Sequence, residues 1–306
     1  WLAEQEDQAR LDLAQLVAEG DRLAFSTDSY VIDPLFFPGG NIGKLAICGT
    51  ANDVAVSGAI PRYLSCGFIL EEGLPMETLK AVVTSMAETA RAAGIAIVTG
   101  DTKVVQRGAV DKLFINTAGM GAIPANIHWG AQTLTAGDVL LVSGTLGDHG
   151  ATILNLREQL GLDGELVSDC AVLTPLIQTL RDIPGVKALR DATRGGVNAV
   201  VHEFAAACGC GIELSEAALP VKPAVRGVCE LLGLDALNFA NEGKLVIAVE
   251  RNAAEQVLAA LHSHPLGKDA ALIGEVVERK GVRLAGLYGV KRTLDLPHAE
   301  PLPRIC

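Results

Sequence analysis

The sequence is poor in aromatic residues, in basic residues and in long apolar runs. Aromatic residues make up 4% of the chain, and 25 basic residues face 36 acidic ones, for a formal net charge of −11. The electrostatic field of a protein with this negative charge repels nucleic acid and anionic lipid, so we expect neither as a partner. No stretch approaches the roughly 20 apolar residues of a membrane span, and the N-terminus WLAEQEDQAR is acidic where a signal peptide is basic. These absences predict a cytoplasmic protein.

Disulfide, zinc and common nucleotide motifs are also missing. The seven cysteines form no CxxC pair, and an odd count in a reducing compartment indicates free thiols. Neither GxGxxG nor GxxxxGKS occurs. Six cysteines stand among apolar or small residues, as inert buried thiols do. Cys306 differs, because it ends the chain in the motif PRIC, where its sulfur is expected to be accessible.

A length of 306 residues with 49% hydrophobic residues predicts two well-packed domains. Strands and helices alternate on both sides of the turn-rich TAGD segment, which favours two α+β domains over residues 1–136 and 137–290. Residues 291–306 are predicted to be a flexible Pro-rich tail. Prolines favour an extended path, so the 14 residues from Thr293 span up to about 45 Å.

Three acids are the first candidate site. Asp28 and Asp101 are predicted at the ends of apolar strands, and Asp53 in a buried helix, where an unpaired carboxylate is costly. Carboxylates that converge from separate segments are natural ligands for Mg²⁺, which bridges to nucleotide phosphates. The alternative is that each acid caps a helix or a turn, and spacing alone does not decide.

A second candidate is the segment DATRGG, predicted to precede a helix. Free N–H groups and the positive end of the helix dipole attract phosphate there, and Arg194 adds donors beside Thr193, Gly195 and Gly196. A plain turn is the alternative. The glycines are expected to allow close approach of a phosphate to the backbone.

Lys103 in GDTK and Glu242 in NEGK are candidate catalytic groups. An ammonium stabilises charge on a leaving oxygen, and a desolvated glutamate acts as a base near neutral pH. The alternatives are a solvated lysine and a capping glutamate. His149, in the glycine-rich segment GDHG, is a weaker candidate. Cys306 is either a nucleophile or carrier on a reaching tail, or an accident of where the chain ends.

The segments FSTDSYV, GTANDVAVSGA, VTGDTKVV, DATRGGV, NEGKL and the terminal PRIC together resemble the HypE family of hydrogenase maturation proteins, the carbamoyl dehydratases. This family belongs to the superfamily of aminoimidazole-ribonucleotide synthetase, selenophosphate synthetase and thiamine-monophosphate kinase. The resemblance covers essentially the whole chain, and the Cys-ended tail separates the family from its relatives. It implies a two-domain aminoimidazole-ribonucleotide-synthetase-like α+β fold. The N-terminal domain is then the ATP-binding and dimerisation domain, pairing into a shared β-barrel in a homodimer.

The resemblance also implies an activity: ATP-dependent dehydration of an S-carbamoyl group on Cys306 to S-thiocyanate, which supplies the cyanide ligand for the iron centre of [NiFe]-hydrogenase. The implied partners are the carbamoyltransferase HypF and the HypC–HypD iron scaffold complex. The implied magnesium ligands are Asp28, Asp53 and Asp101, and the implied catalytic residues are Cys306, Glu242 and Lys103. The implied ATP-binding residues are Asn52, Asp53, Thr102, Asp191, Thr193, Gly195 and Gly196.

Two other functions stay open at this point. One is a small-molecule kinase or ligase of the same superfamily, of the selenophosphate synthetase or thiamine-monophosphate kinase type, which would ignore the tail. The other is a non-enzymatic scaffold whose tail docks on a partner. The family's glycine-rich N-terminal segment has no counterpart before Trp1, and weaker ATP binding is expected for that reason.

Overall fold

The computed structural model describes residues 8–162, 164, 166–297 and 302–306. In the first half a four-stranded sheet is covered by two long helices. Its strands follow the order β1-β6-β4-β5, with β4 and β5 parallel because α3 forms the crossover between them. In chain order the elements are α1 (Leu13–Glu19), β1 (Arg22–Tyr30), β2 (Phe36–Phe37), β3 (Gly40–Asn41), α2 (Ile42–Ala55), β4 (Ile60–Glu71), α3 (Met76–Ala93), β5 (Ala96–Val105) and β6 (Leu113–Ile123).

Helix α2 is the central element of this half. Asn41 caps its start by accepting hydrogen bonds from the N–H groups of Gly43 and Lys44, and most of the helix is buried. A Cβ on Gly49 would lie 2.4 Å from Tyr30 Oη, so glycine lets α2 approach β1 closely. The approach brings Asp53 of α2 beside β1.

The second half is built on a seven-stranded sheet with helices on both faces. Its order is β13-β12-β9-β11-β7-β10-β8, with β9 and β12 parallel. α6 packs on one face, and α5 and α8 pack on the other. The elements are β7 (Val139–Val142), α4 (Asp148–Glu158), α5 (Thr174–Gln178), β8 (Val186–Asp191), α6 (Gly196–Cys208), β9 (Gly211–Ser215), α7 (Pro223–Leu232), β10 (Leu245–Val249), α8 (Ala254–His262), β11 (Ala271–Val277), β12 (Gly281–Ala285) and β13 (Lys291–Thr293).

The two-domain α+β prediction is therefore confirmed. The predicted boundary at residue 137 falls in the connection between β6 and β7. In the described part of the chain, no helix combines the length and the apolar character needed to cross a bilayer.

One apolar core joins the two halves and the chain end. It combines residues of α2 with residues of α4 and α7, and it includes Leu302, Ile305 and Cys306. Burial of this kind contributes about 25 cal/mol per Å² of apolar surface removed from water. The chain end is therefore a structural part of the junction between the halves.

The prediction of a flexible tail with an accessible thiol is wrong on two points. Lys291–Thr293 forms the edge strand β13, antiparallel to β12, and Asn198 Nδ2 donates to the carbonyl of Asp295 at 3.0 Å. Cys306 is only 5% exposed. Main-chain pairing and apolar burial outweigh the extended bias of the prolines. Pro301, one of the three prolines behind the prediction, lies outside the described residues.

Candidate active site

A cleft of about 250 Å³ lies between the two halves, and acidic side chains dominate its lining. Four carboxylates enter it from four separate segments: β1, α2, the end of β8 and the loop before β10. The lining residues are Thr27, Asp28, Gly49, Asp53, Asp191, Thr193, Arg194, Glu242 and Cys306. The cleft thus gathers six of the predicted site residues in one place.

The first half supplies Asp28 and Asp53. Asp28 lies inside β1 rather than at its end, and Ser29 N–H donates to its Oδ1 at 2.7 Å. Ser26 Oγ donates to Asp53 Oδ2 at 2.7 Å. Burial and the nearby Asp28 charge raise the pKa of Asp53, while the Ser26 hydrogen bond opposes the shift. Sequence reasoning missed Ser26, although it shares a strand face with Asp28 two residues on.

The second half supplies Asp191 and Glu242. Both are buried, and neither Asp191 Oδ2 nor Glu242 Oε1 has a hydrogen-bond partner. Burial raises the pKa of Asp191 to about 7, and the charge of Asp53 adds to this shift. Burial, then the charges of Asp169 and Asp191, raise the pKa of Glu242 well above its usual value. Buried carboxylate oxygens without partners are costly, and this cleft therefore favours a cation.

The loop that carries Glu242 is held by a buried acid that sequence reasoning missed. Asp169 accepts from the N–H groups of Glu242 at 3.0 Å and Gly243 at 3.2 Å, and it pairs with Lys244 at 3.2 Å. A Cβ on Gly243 would lie 1.9 Å from the carbonyl oxygen of Asp169, so only glycine fits. Asp169 thereby fixes the direction of Glu242.

Asn52, predicted to bind nucleotide, lies outside the cleft lining. Its amide donates to the carbonyl of Ala171 at 3.0 Å and accepts from Leu173 N–H at 2.8 Å. The side chain is 1% exposed. In this structure Asn52 joins the two halves through these hydrogen bonds.

The DATRGG segment divides into two parts. Thr193 and Arg194 line the cleft, whereas the two glycines shape the turn into α6. Gly195 and Gly196 have φ values of +75° and +59°, and a Cβ on Gly196 would lie 2.5 Å from two carbonyl oxygens. The glycines are therefore required by the backbone itself.

Cys306 places its sulfur in the cleft. Arg194 Nη2 donates to Sγ at 3.4 Å, and Val31 N–H donates to the Cys306 carbonyl at 2.9 Å. Burial raises the pKa of the thiol to about 12, with the Glu242 charge adding and Arg194 opposing. The seated thiol is therefore protonated at neutral pH.

Asp101, Thr102 and Lys103 do not join the cleft within one chain. They lie on β5, three strands from β1, or about 14 Å at the usual strand spacing. Asp101 and Lys103 form an exposed ion pair of 3.0 Å, and the Lys103 hydrogen bond lowers the pKa of Asp101. Across the described ranges, no group of three or more His, Cys, Asp or Glu side chains is arranged to hold a metal ion. Within one chain the sheet order keeps Asp101 apart from Asp28 and Asp53, and their joint role as magnesium ligands stays a prediction.

His149 lies outside the cleft lining and binds the chain end. Its Nε2 is 2.8 Å from the carbonyl of Ile305, and its Nδ1 is 2.7 Å from Ser168 Oγ. A carbonyl only accepts, so Nε2 carries the proton and Nδ1 accepts from the serine. Burial lowers the pKa of His149, which keeps the ring neutral.

The two-half architecture and the acid cleft match a known class of proteins. Residues 5–123 match the family model of the N-terminal domain of AIR synthase related proteins, and residues 135–286 match the model of their C-terminal domain. The fold and the family models together place the chain in the AIR synthase related class.

Comparison with individual proteins narrows this class. Carbamoyl dehydratase HypE of Rhodobacter capsulatus is 50% identical over 304 residues, which cover 98% of this chain and 89% of the relative. The crystal structure of E. coli HypE is 98% identical with a TM-score of 0.98, covering 100% of this chain and 95% of that chain. The chain belongs to the HypE family.

Two solved complexes are also similar. A HypE in complex with ATP is 46% identical with a TM-score of 0.94, covering 100% of this chain and 91% of that chain. The HypE chain of a HypE–HypF complex is 48% identical with a TM-score of 0.88, covering 90% of each chain.

Proposed function

We propose that this chain is an ATP-dependent carbamoyl dehydratase that converts an S-carbamoyl group on its own Cys306 into an S-thiocyanate. The observation that carries the proposal is the position of the Cys306 sulfur, inside the acid cleft and 3.4 Å from Arg194. The similar proteins named carbamoyl dehydratase support the reaction, and the ATP complex of a relative supports the nucleotide.

The reaction needs ATP because hydroxide is a poor leaving group at neutral pH. The carbonyl oxygen of the thiocarbamate, –S–C(=O)–NH₂, attacks the γ-phosphorus and ADP leaves. Two N–H protons and the phosphorylated oxygen then depart, the C–O bond breaks, and the C≡N bond forms. The products are –S–C≡N, ADP and phosphate, so the elements of water leave within the phosphate.

The cleft residues have roles that follow from their positions. Arg194 lies beside the sulfur, so its donors are within reach of the oxygen that receives the phosphoryl group. Glu242 is the candidate base for the nitrogen protons, since it lines the same cleft and one of its oxygens has no partner. Holding the carbamoyl group on the chain itself gives a high effective concentration.

Two carboxylates of the cleft fit part of the ligand shell of a divalent cation, which for Mg²⁺ is usually completed by nucleotide phosphates and water. Asp28 and Asp53 bring carboxylates together in the cleft, and Asp191 adds a buried oxygen without a partner. Mg²⁺ prefers such oxygen ligands and, when bound, would neutralise charge on the ATP phosphates. Asp28 and Asp53 are the residues we assign to it.

A second copy of the chain would complete the site. The face of the first-half sheet that is turned away from α2 and α3 is covered only in part, by α1, and Leu23, Phe25 and Ile69 on it are exposed. Pairing of two such sheets into a shared barrel would cover this face in a homodimer. We assign Asp101, Thr102 and Lys103 of β5 to the nucleotide site of the partner subunit, since they lie on the sheet edge and are exposed.

Two other proteins act before and after this one in the proposal. A carbamoyltransferase of the HypF type would load Cys306, as the HypE–HypF complex of a relative suggests. The thiocyanate would then pass to an iron-bearing HypC–HypD scaffold. A small-molecule kinase or ligase has no use for a terminal thiol seated in its cleft, which disfavours that alternative.

The test is mass spectrometry of the C-terminal peptide released by cleavage after Lys291, the last lysine of the chain. With a carbamoyltransferase and its carbamoyl donor present, we expect the peptide to gain one carbamoyl group and, after ATP, to lose one water. Cys306→Ala should show neither change, and the matched variant Cys210→Ala should show both. If Cys306→Ala kept full ATP turnover with a free acceptor and supported hydrogenase assembly, the carrier function would be refuted.

A further inference from the structure

The chain end is held chiefly through its main-chain carbonyl groups. Arg157 of α4 donates from Nη1 to the carbonyl of Pro303 at 2.7 Å and from Nη2 to the carbonyl of Arg304. Its Nε donates to the carbonyl of Asp33 at 2.6 Å. His149, on the same helix, holds the carbonyl of Ile305. One helix thus contacts three consecutive carbonyls of the chain end.

Residues 31–33 hold the other side of the chain end. Val31 N–H donates to the Cys306 carbonyl at 2.9 Å, and Asp33 N–H donates to the Arg304 carbonyl at 3.4 Å. Arg304 returns a bond of 2.9 Å to the Val31 carbonyl and pairs with Asp111 at 2.8 Å. The chain end therefore lies between this segment and α4.

Arg157 is an unusual arginine because its donors meet carbonyl oxygens. The carboxylate of Asp33, whose main-chain carbonyl accepts from Arg157, is paired instead with Lys112 at 2.8 Å. Desolvating a guanidinium without a carboxylate partner is costly, as the lowered pKa of Arg157 through burial reflects. Its planar fork, however, spans three carbonyls at fixed geometry, which a lysine does not match.

We propose that Arg157, assisted by His149, is a positioning residue that seats the carbamoylated chain end in the cleft. The proposal rests on the function proposed above. Arg157 does not contact the reacting atoms and acts through the main chain of Pro303 and Arg304. Because it binds only backbone there, it holds the segment whether the sulfur is free or carbamoylated.

We call the site formed by Arg157, His149 and residues 31–33 the seat of the chain end. The seat has opposite effects on the carbamoylation of Cys306, called loading here, and on the dehydration that follows. In the seat the thiol is buried and protonated, and a protonated thiol is a poor nucleophile towards a carbamoyl donor. Dehydration, in contrast, requires the sulfur in the cleft. Weakening the seat should therefore speed loading of Cys306 and slow its dehydration. A variant that was simply misfolded would be slower in both.

The first experiment measures seating without any dehydratase chemistry. The whole protein is treated with iodoacetamide, and alkylation of Cys306 is followed in the peptide released by cleavage after Lys291. Loss of two charge-assisted hydrogen bonds should make Arg157→Ala react roughly 10- to 100-fold faster than the wild type. Arg157→Lys should fall between them, and Arg251→Ala, which removes an arginine paired with Glu275, should match the wild type.

The second experiment compares loading and dehydration in single turnovers. Arg157→Ala should be carbamoylated faster and dehydrated more slowly than the wild type, with unchanged ATP affinity. His149→Ala should also be carbamoylated faster and dehydrated more slowly, but by smaller factors than Arg157→Ala. His149→Gln restores a donor to the Ile305 carbonyl and should bring both rates back towards the wild type. Unchanged alkylation in Arg157→Ala, or a parallel loss of both steps, would overturn the proposal. The two proposals can fail separately. If wild-type Cys306 were alkylated slowly but its carbamoyl group lost no water after ATP was added, the proposed function would be refuted and the positioning role of Arg157 would not.

Discussion

Asp101 on β5 and the carboxylates of the cleft were predicted to serve one site, yet they occupy opposite environments. Asp101 is exposed, paired with Lys103, and has a lowered pKa. Asp191 and Glu242 are buried, have oxygens without partners, and have raised pKa values. The difference teaches that the cleft is an electrostatically costly site whose cost a bound cation would relieve, whereas the β5 edge is stable as it stands.

The largest effect should come from Glu242→Gln, which removes the base but keeps the shape of the side chain. Loss of general-base catalysis should slow single-turnover dehydration by about 10²- to 10⁴-fold. Glu250→Gln, an exposed acid at the end of β10, is the control. Because the pKa of Glu242 is raised, the wild-type rate should increase with pH up to that pKa and then level off. Wild-type dehydration in Glu242→Gln would assign the base to another group.

Asp191→Asn should have a smaller effect, on the free energy of unfolding of the protein measured without nucleotide or metal. The folded chain keeps the Asp191 proton to about pH 7, whereas the unfolded chain releases it near 3.8. The wild-type free energy of unfolding therefore falls as pH rises between these values and is flat above them. At pH 8 the variant should be more stable by up to about 4 kcal/mol, with the gap closing near pH 4.

Denaturant unfolding at several pH values checks this difference. Asp101→Asn is the matched control from the exposed edge, and it should gain no stability at any pH. A variant Asp191→Asn that was less stable than the wild type at pH 8 would show that the carboxylate is already compensated in the folded protein.

The smallest expected effect is a partial recovery of activity in mixed dimers. It tests most directly whether the β5 edge and the cleft act in one site. Asp101→Asn and Glu242→Gln are each inactive if both acids serve the same site. When equal amounts are unfolded and refolded together, half of the dimers are mixed, and one of their two sites is intact if Asp101 comes from the partner subunit. Activity should then return to about a quarter of the wild type. No recovery would mean that each subunit uses its own Asp101, contrary to the sheet order.

The fold and much of the cleft could be predicted because their signals are local. The turn residues of DATRGG predicted a helix directly after them, which the structure confirms as α6 (Gly196–Cys208). Buried acids in apolar segments predicted Asp28 and Asp53. The same signal also selected Asp101, because both β1 and β5 carry an acid after an apolar run and only strand order separates them.

The seat of the chain end had no such signal. Arg157 lies 124 residues from Asp33 and 147 from Arg304, and its partners are backbone carbonyls, which every residue carries. The prolines predicted the extended shape of the tail, but the burial of Cys306 depends on surfaces from both halves. Asp169 was missed for a similar reason, since it acts on the main chain of a loop far along the sequence.

The buried thiol has a consequence for the durability of the protein. Peroxides attack thiolates, and a cysteine with a pKa of about 12 is almost wholly protonated at neutral pH. While the chain end is seated, the Cys306 sulfur that the proposed reaction requires therefore stays in the thiol form, which oxidants attack slowly. Damage should accumulate during the intervals when the chain end is out of its seat, so the working lifetime of the protein depends on how often it is loaded rather than on its age.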